Sequence, residues 1–317
     1  MTNPFWNPTE KRARSIWRLA LQAAFMLVAA ILVSIIPLGF IAIVSTAIPL
    51  GSWVTDIGVT ICLLLAVLIS LWLAGLILDH RPLADFGLHL SRDWWLDFFF
   101  GLALGAVLLG IIFCIELAAG WITIPGTLQV RVSGPSFGFV WGLVLMQFIS
   151  VGIYEELWFR GYILRNLAEG LNFGGKNPRT ALIIAYVVSS AVFGLFHIIN
   201  PNASFMSTFN IILAGLFIGL GFILTGELAI PIGIHITWNF FQGAVFGFPV
   251  SGTTSAATLI GIQQAGPELW TGGAFGPEAG LTGFLAMALG SLLIWLWVRW
   301  RRGAVLQNRL AVYKPKM

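Results

Sequence analysis

Long apolar runs separated by short polar connections make up most of the chain. A membrane-spanning helix needs about 20 consecutive, mostly apolar residues. The runs that meet this requirement predict eight spans, at 17–44, 58–78, 94–119, 136–160, 180–200, 206–225, 228–247 and 281–299. The first run is too long for the core of a signal peptide, and no clear small-residue cleavage site follows it, so we interpret it as an uncleaved helix. The predicted fold class is an all-α, polytopic membrane helical bundle with about eight transmembrane helices.

The composition agrees with a membrane protein. Of the 317 residues, 58% are hydrophobic and only 9% are charged, whereas a soluble domain has about 25% charged residues. The net charge of +4 is small and scattered, so nucleic acid is not an expected partner. The sequence has no zinc-ribbon, P-loop or dinucleotide-binding fingerprint. Cys62 and Cys114 lie inside apolar runs and are interpreted as small hydrophobic residues, not as a disulfide or a metal pair.

Lysine and arginine residues set the expected orientation. Sixteen of the seventeen lie in the two tails or in the second and fourth connections, and only Arg131 lies in an odd-numbered connection. Because basic residues favour the cytoplasmic side, both termini are expected there, which requires an even number of spans. We expect an integral, multi-pass protein of the plasma membrane, with the lipid bilayer as its partner. The long loop 248–280 is then outside the cytoplasm, as a lid or as a tether.

Three groups of strongly polar residues lie within or next to the later spans. They are Glu155, Glu156 and Arg160; His197, with Phe193 four residues before it; and His235 with Asn239. Glu156 and Arg160 lie four residues apart, so they share one helix face and can pair. His235 and Asn239 also share a face. Ionisable residues inside a membrane usually face the bundle interior and mark a functional site.

Each group also has a purely structural interpretation. Glu156 and Arg160 can form only an ion pair, His197 can lie at the membrane interface, and His235 can bond to a neighbouring helix. Taken together, the groups favour function, because paired carboxylates and histidines can bind a metal or perform acid–base chemistry. His80 and His89 lie in a charged loop and are expected to be solvated.

The segments "EELWFR", "FGLFH" and "HITWN" resemble three motifs of one protein family. They match EExxxR, FxxxH and HxxxN of the CPBP family of intramembrane proteases, which includes the CAAX prenyl endopeptidases and bacteriocin-processing enzymes. The three motifs occur in the family's order, and every key residue of each motif is present. The resemblance implies an intramembrane endopeptidase, often called a metalloprotease, that acts on a peptide or protein substrate at the membrane.

The resemblance also implies roles for the six residues. Glu155 would activate a water for attack on a peptide carbonyl, with His197 beside it, and Glu156 and Arg160 would hold the site in place. His235 and Asn239 would stabilise the oxyanion.

The alternative is a zinc ion bound by Glu155, His197 and His235, with water as the fourth ligand. The motif H-E-x-x-H is absent, and both mechanisms stay open at this point.

The predicted span bounds place the polar groups at different depths in the membrane. His235 lies about 10 Å from the start of its span and Glu155 is near the cytoplasmic end of its own, whereas His197 comes late in its span. Either the fifth span starts deeper, or the fourth helix extends past Arg160 through 162–171. The second option would move Glu155 toward the middle of the membrane.

The organisation follows from the position of the motifs. We divide the chain into 1–135, with the first spans; 136–247, the protease core; and 248–317, with the loop, the last span and a basic tail. Two other functions are considered: a membrane transporter that uses the buried charges as a relay, and a non-catalytic immunity or scaffold protein. The intact polar set argues against the second, and the lack of internal repeats argues mildly against the first.

Overall fold

The computed structural model describes residues 3–47, 52–303 and 305–313. The α-helices are α1 (Ser15–Ala47), α2 (Ser52–Ala74), α3 (Arg92–Ala118), α4 (Phe137–Glu156), α5 (Arg165–Leu171), α6 (Pro178–Phe196), α7 (Phe205–Thr225), α8 (Ala229–Asn239), α9 (Glu268–Thr271) and α10 (Leu281–Arg302). The strands are β1 (Trp6–Asn7), β2 (Arg12–Ala13), β3 (Ile122–Val130) and β4 (Ala257–Gln264). Within these ranges the structure confirms a helical polytopic bundle.

Both described ends of the chain meet at one end of the bundle, which we call the terminal end. The guanidinium of Arg12 lies over the ring of Tyr313, 3.4 Å from its centre. Asn172, just after α5, donates from Nδ2 to the carbonyl of Ala311 at 2.8 Å. Two chain ends at one end of the bundle are what an even number of crossings would produce; the number of crossings and the orientation of this end stay predictions.

Buried ion pairs hold the terminal end together. Arg12 and Arg81 both contact Glu169, at 2.8 and 2.7 Å, and Arg18 contacts Asp79 at 3.1 Å. None of these side chains is more than 5% exposed. The basic residues that indicate orientation in the sequence therefore also act as ion-pair partners, with acids that lie far away along the chain.

Seven of the described helices are long and apolar enough to cross a membrane. The predicted span 228–247 is not among them. It is the 11-residue helix α8 followed by a six-residue π-helix, Phe240–Val245, together about 25 Å long. Residues 229–238 are all buried, so this helix is surrounded by protein, and a shorter element can complete the eighth crossing.

The predicted end of the fourth span at residue 160 is wrong. Helix α4 continues through a π-helix, Leu157–Leu164, into α5, so that one helical segment covers Phe137–Leu171. Glu156, Arg160 and Glu169 in its second half are buried in ion pairs, so these charges do not end the helix. Glu155 therefore lies near the middle of a 35-residue helix.

Glycines bring α3 and α8 into close contact. A Cβ added at Gly101 would lie 2.6 Å from the carbonyl oxygen of Ile230, and one added at Gly105 would overlap the hydroxyl of Thr237. Gly215 of α7 faces Ser190 of α6 in the same way. These contacts make the three glycines packing positions, where a small residue lets two helices approach closely.

The end opposite the terminal end carries a two-stranded antiparallel sheet that the sequence analysis did not predict. Strand β3 pairs with β4, with Ile122 opposite Gln264 and Val130 opposite Ala257. The pairing joins the connection after α3 to the long loop 248–280. That loop is therefore fixed to the bundle along part of its length.

Candidate active site

The two adjacent glutamates project into different surroundings. The side chain of Glu156 is fully buried, whereas that of Glu155 is 15% exposed. Successive helical residues are rotated by about 100°, so the two carboxylates cannot share one set of partners. The Oε2 atom of Glu155 is buried and has no hydrogen-bond partner among the described residues.

Arg160 fixes Glu156 from one turn along the helix. Its NH1 donates to Glu156 Oε1 at 2.9 Å, and its NH2 donates to the carbonyl of Gly215 at 3.0 Å. The guanidinium also lies over the ring of Phe193, 4.3 Å from its centre. Arg160 is fully buried, so all of its interactions with water have been replaced by these contacts.

His235 bridges the two glutamates. Its Nδ1 is 2.7 Å from Glu156 Oε1, and its Nε2 is 3.8 Å from Glu155 Oε2. An ionised carboxylate can only accept a hydrogen bond, so the ring donates Nδ1–H to Glu156. Its Nε2 is left to face the cavity and Glu155.

His197 is held at the end of α6 by its own motif. Its Nδ1 is 2.8 Å from the carbonyl oxygen of Phe193, four residues earlier. A carbonyl only accepts, so this nitrogen carries the proton and Nε2 is left free. The ring of Phe193 also contacts the rings of His197 and His235, at centre distances of 4.8 and 6.2 Å. The phenylalanine of the second motif therefore packs between Arg160 and both histidines.

A cavity of about 290 Å³ brings the predicted residues together. Its lining includes Glu155, His197, His235 and Asn239. Among the described residues no hydrogen-bond partner is present for the amide of Asn239, which is thus available to a ligand in the cavity. Glu156 and Arg160 do not line the cavity and lie behind it.

The depths of these groups agree once the helices are measured. Glu155 lies about 24 Å along the helix from Leu171, and His197 about 28 Å from the start of α6. Helix α8 begins inside the bundle, because the N–H of Leu228 bonds to the carbonyl of Gly87 at 2.9 Å, beside Gly161. The extended fourth helix, and not a deeper fifth span, removes the disagreement.

The long loop provides a part of the site that was not predicted from the sequence. Ser251, Thr253 and Glu278 line the same cavity. Burial raises the pKa of Glu278 to about 7, although hydrogen bonds from Ser251 and Gln242 lower it. One signal was available: Glu278 is one of only two acidic residues in the loop 248–280.

The arrangement as it stands does not fit a zinc ion. Among the residues that the structure describes, no three His, Cys, Asp or Glu side chains are placed to hold a metal together. The Nδ1 atoms of the two histidines bond to Glu156 and to the carbonyl of Phe193, which leaves each Nε2 free and by itself does not exclude metal binding. Zinc binding by Glu155, His197 and His235 stays an untested prediction.

One family model matches the middle of the chain. Residues 137–241 match the family described as Type II CAAX prenyl endopeptidase Rce1-like. This segment is about a third of the chain and contains all six residues of the three motifs. No curated protein and no solved structure matches the chain. The match over residues 137–241 supports the CPBP family of CAAX-type intramembrane proteases, which the three motifs resemble.

Proposed function

We propose that this protein hydrolyses peptide bonds inside the membrane with a water molecule activated by Glu155. One observation carries the proposal: a buried carboxylate oxygen without a hydrogen-bond partner among the described residues faces His235 Nε2 across 3.8 Å, at the edge of the cavity. That distance is too long for a direct hydrogen bond. The proposed water would bridge the two groups.

The proposed reaction needs one base and no covalent intermediate with the protein. Glu155 takes a proton from the water while the water oxygen attacks the carbonyl carbon of the peptide. The tetrahedral intermediate then loses its amine, and Glu155 returns the proton to the leaving nitrogen. The products are a carboxylic acid and an amine. His197, on the same cavity wall, orients the water.

Stabilisation of the oxyanion is assigned to His235 and Asn239. The amide of Asn239 donates from Nδ2. When both of its nitrogens carry protons, His235 donates Nδ1–H to Glu156 and presents Nε2–H to the cavity. Glu156, held by Arg160, thus fixes the ring in the orientation that the oxyanion requires.

The test is cleavage of membrane-tethered peptides by the purified protein in proteoliposomes. Glu155→Gln keeps the shape of the side chain but cannot act as a base, so it is expected to abolish cleavage while the protein stays folded. Glu268→Gln is the matched control, because Glu268 is an exposed carboxylate of the loop and the change is chemically identical. Cleavage by Glu155→Gln at the normal rate would exclude this role for Glu155.

Metal content separates the two mechanisms. The glutamate mechanism predicts that a strong chelator leaves cleavage unchanged. The opposite result would be stoichiometric zinc that is lost together with activity, and that is also lost in His197→Ala and His235→Ala. It would make these two residues ligands and overturn the metal-independent reaction.

A further inference from the structure

Residues 249–253, which we call the wall segment, close the cavity on the side of the sheet. Val250, Ser251 and Thr253 line the cavity. The segment is tied to the residues that follow His197, because Asn200 donates from Nδ2 to the carbonyl of Ser251 at 3.2 Å. Ser251 has a positive φ of 46°, which a serine rarely adopts unless its surroundings hold it there.

The other side of the wall segment is tied down through the carboxyl group of Glu278. The N–H of Ser251 donates to Glu278 Oε1 at 2.6 Å. Gln242 donates from Nε2 to Glu278 Oε2 and to the carbonyl of Pro249, the latter at 2.6 Å. Gln242 lies three residues after Asn239 on the same helical segment. Glu278 thus connects the wall segment to the helix that carries the third motif.

The contacts of Glu278 with Ser251 and Gln242, which we call the junction, are buried and closely packed. Glu278 is 3% exposed. Gly276 has a φ of 121°, and a Cβ there would lie 2.7 Å from Glu278 Oε2 and 2.8 Å from Gln242 Nε2, so a larger residue would separate the partners. The titratable groups that share the cavity with Glu278 are Tyr154, Glu155, His197 and His235.

We propose that Glu278 is a positioning residue that keeps the wall segment closed against the helix of His235 and Asn239. The proposal rests on the proposed function, since it concerns the cavity in which the peptide would bind. Glu278 touches neither the water nor the peptide in this account. It acts through Ser251, Gln242 and the carbonyl of Pro249, and therefore affects substrate binding more than the chemical step.

Closure of the wall segment depends on pH with a defined sign. In an open wall Glu278 is hydrated and has its ordinary pKa of 4.5, whereas burial raises the pKa to about 7 in the closed wall. The closed wall thus binds the proton more tightly. Closure is strongest below about pH 4.5 and weakens as the pH rises through 7, by up to about 300-fold.

Thiol labelling measures closure without requiring catalysis. Val250 is 7% exposed and Thr254 is exposed. In a background with Cys62 and Cys114 replaced by alanine, Val250→Cys reports opening, and Thr254→Cys corrects for the reactivity of the thiol at each pH. The measured quantity is the ratio of the two rates with a water-soluble maleimide, from pH 5 to 8.

The expected ratio rises with pH in the parent protein. Glu278→Gln removes the titration and holds the ratio at its low-pH value, whereas Glu278→Ala raises it at every pH. Glu268→Gln, in the same loop, leaves the profile of the parent unchanged. Gln242→Ala removes the other half of the junction, so it supplies the test if Glu278→Ala does not fold.

A ratio that is independent of pH in the parent, together with no increase in Glu278→Ala or Gln242→Ala, would overturn the proposal. Peptide cleavage by the same preparations is a separate readout. There, Glu278→Ala should raise KM at least ten-fold and change kcat less. If labelling behaves as expected but no preparation cleaves any peptide, the proposed function fails and the role of Glu278 in closure stands.

Discussion

Removal of Arg160 tests whether the motif charges are buried structural elements of the site. Arg160 is fully buried, and its guanidinium contacts Glu156 at 2.9 Å and the carbonyl of Gly215 at 3.0 Å. Arg160→Ala leaves Glu156 with the His235 Nδ1–H and no cation beside it in the bundle. Loss of one partner of a buried ion pair costs about 3–5 kcal/mol. Arg160→Lys should also destabilise, because one ammonium group cannot reproduce the planar fork that reaches both acceptors.

The assay is thermal unfolding in detergent, followed together with the yield of monodisperse protein. Arg92→Ala is the matched control, since Arg92 is exposed at the start of α3, and it should leave stability unchanged. The double variant Glu156→Gln/Arg160→Ala should be more stable than Arg160→Ala alone, because the amide still accepts from His235 and no charge is left unpaired. If Arg160→Ala is as stable and active as the parent, the pair is solvated and the site has been placed incorrectly.

Three further predictions follow from other parts of the structure. Asn239→Ala should lower turnover about 10²–10³-fold with binding retained, because it removes an oxyanion donor; an unchanged kcat in a steady-state assay would contradict that role. Gly105→Ala should destabilise the protein by about 1–3 kcal/mol, because its Cβ overlaps Thr237. Gly110→Ala is the control, because a Cβ there has no atom within 4 Å, and it should leave stability unchanged. Equal melting temperatures of the two variants would show that α3 and α8 can separate at little cost. A cysteine at Ala274, which is exposed, should react with an impermeant reagent from outside the cell, and a reporter fused after residue 317 should be cytoplasmic. A C-terminus outside the cell would contradict the predicted orientation.

Local spacing made the site predictable. His197 with Phe193, Glu156 with Arg160, and His235 with Asn239 are each four residues apart, and a helix places such residues on one face whatever surrounds it. The structure brings Glu155, His197, His235 and Asn239 to one cavity. Their catalytic roles and the division of the chain at residues 135 and 247 stay predictions.

Pairings between distant residues could not be read from the sequence. A hydropathy pattern ends a predicted span where charged residues begin, so the sequence predicts that the fourth helix ends at Arg160. In the structure the helix continues, and Glu169 further along is neutralised by Arg12 and Arg81. The same limit applies to Glu278, whose partner Gln242 is 36 residues away. Each of these contacts depends on how the helices pack, and that information is not local.

The central claim is that water held by Glu155 attacks a peptide carbonyl. Its most direct test is mass spectrometry of the products of one membrane-tethered peptide, cleaved by the purified, chelator-treated protein in ¹⁸O-labelled water. We expect one ¹⁸O atom in the new C-terminal carboxylate for the parent protein and no product for Glu155→Gln. Labelled product from Glu155→Gln at the parent's rate, or none from the folded parent with any peptide, would contradict it.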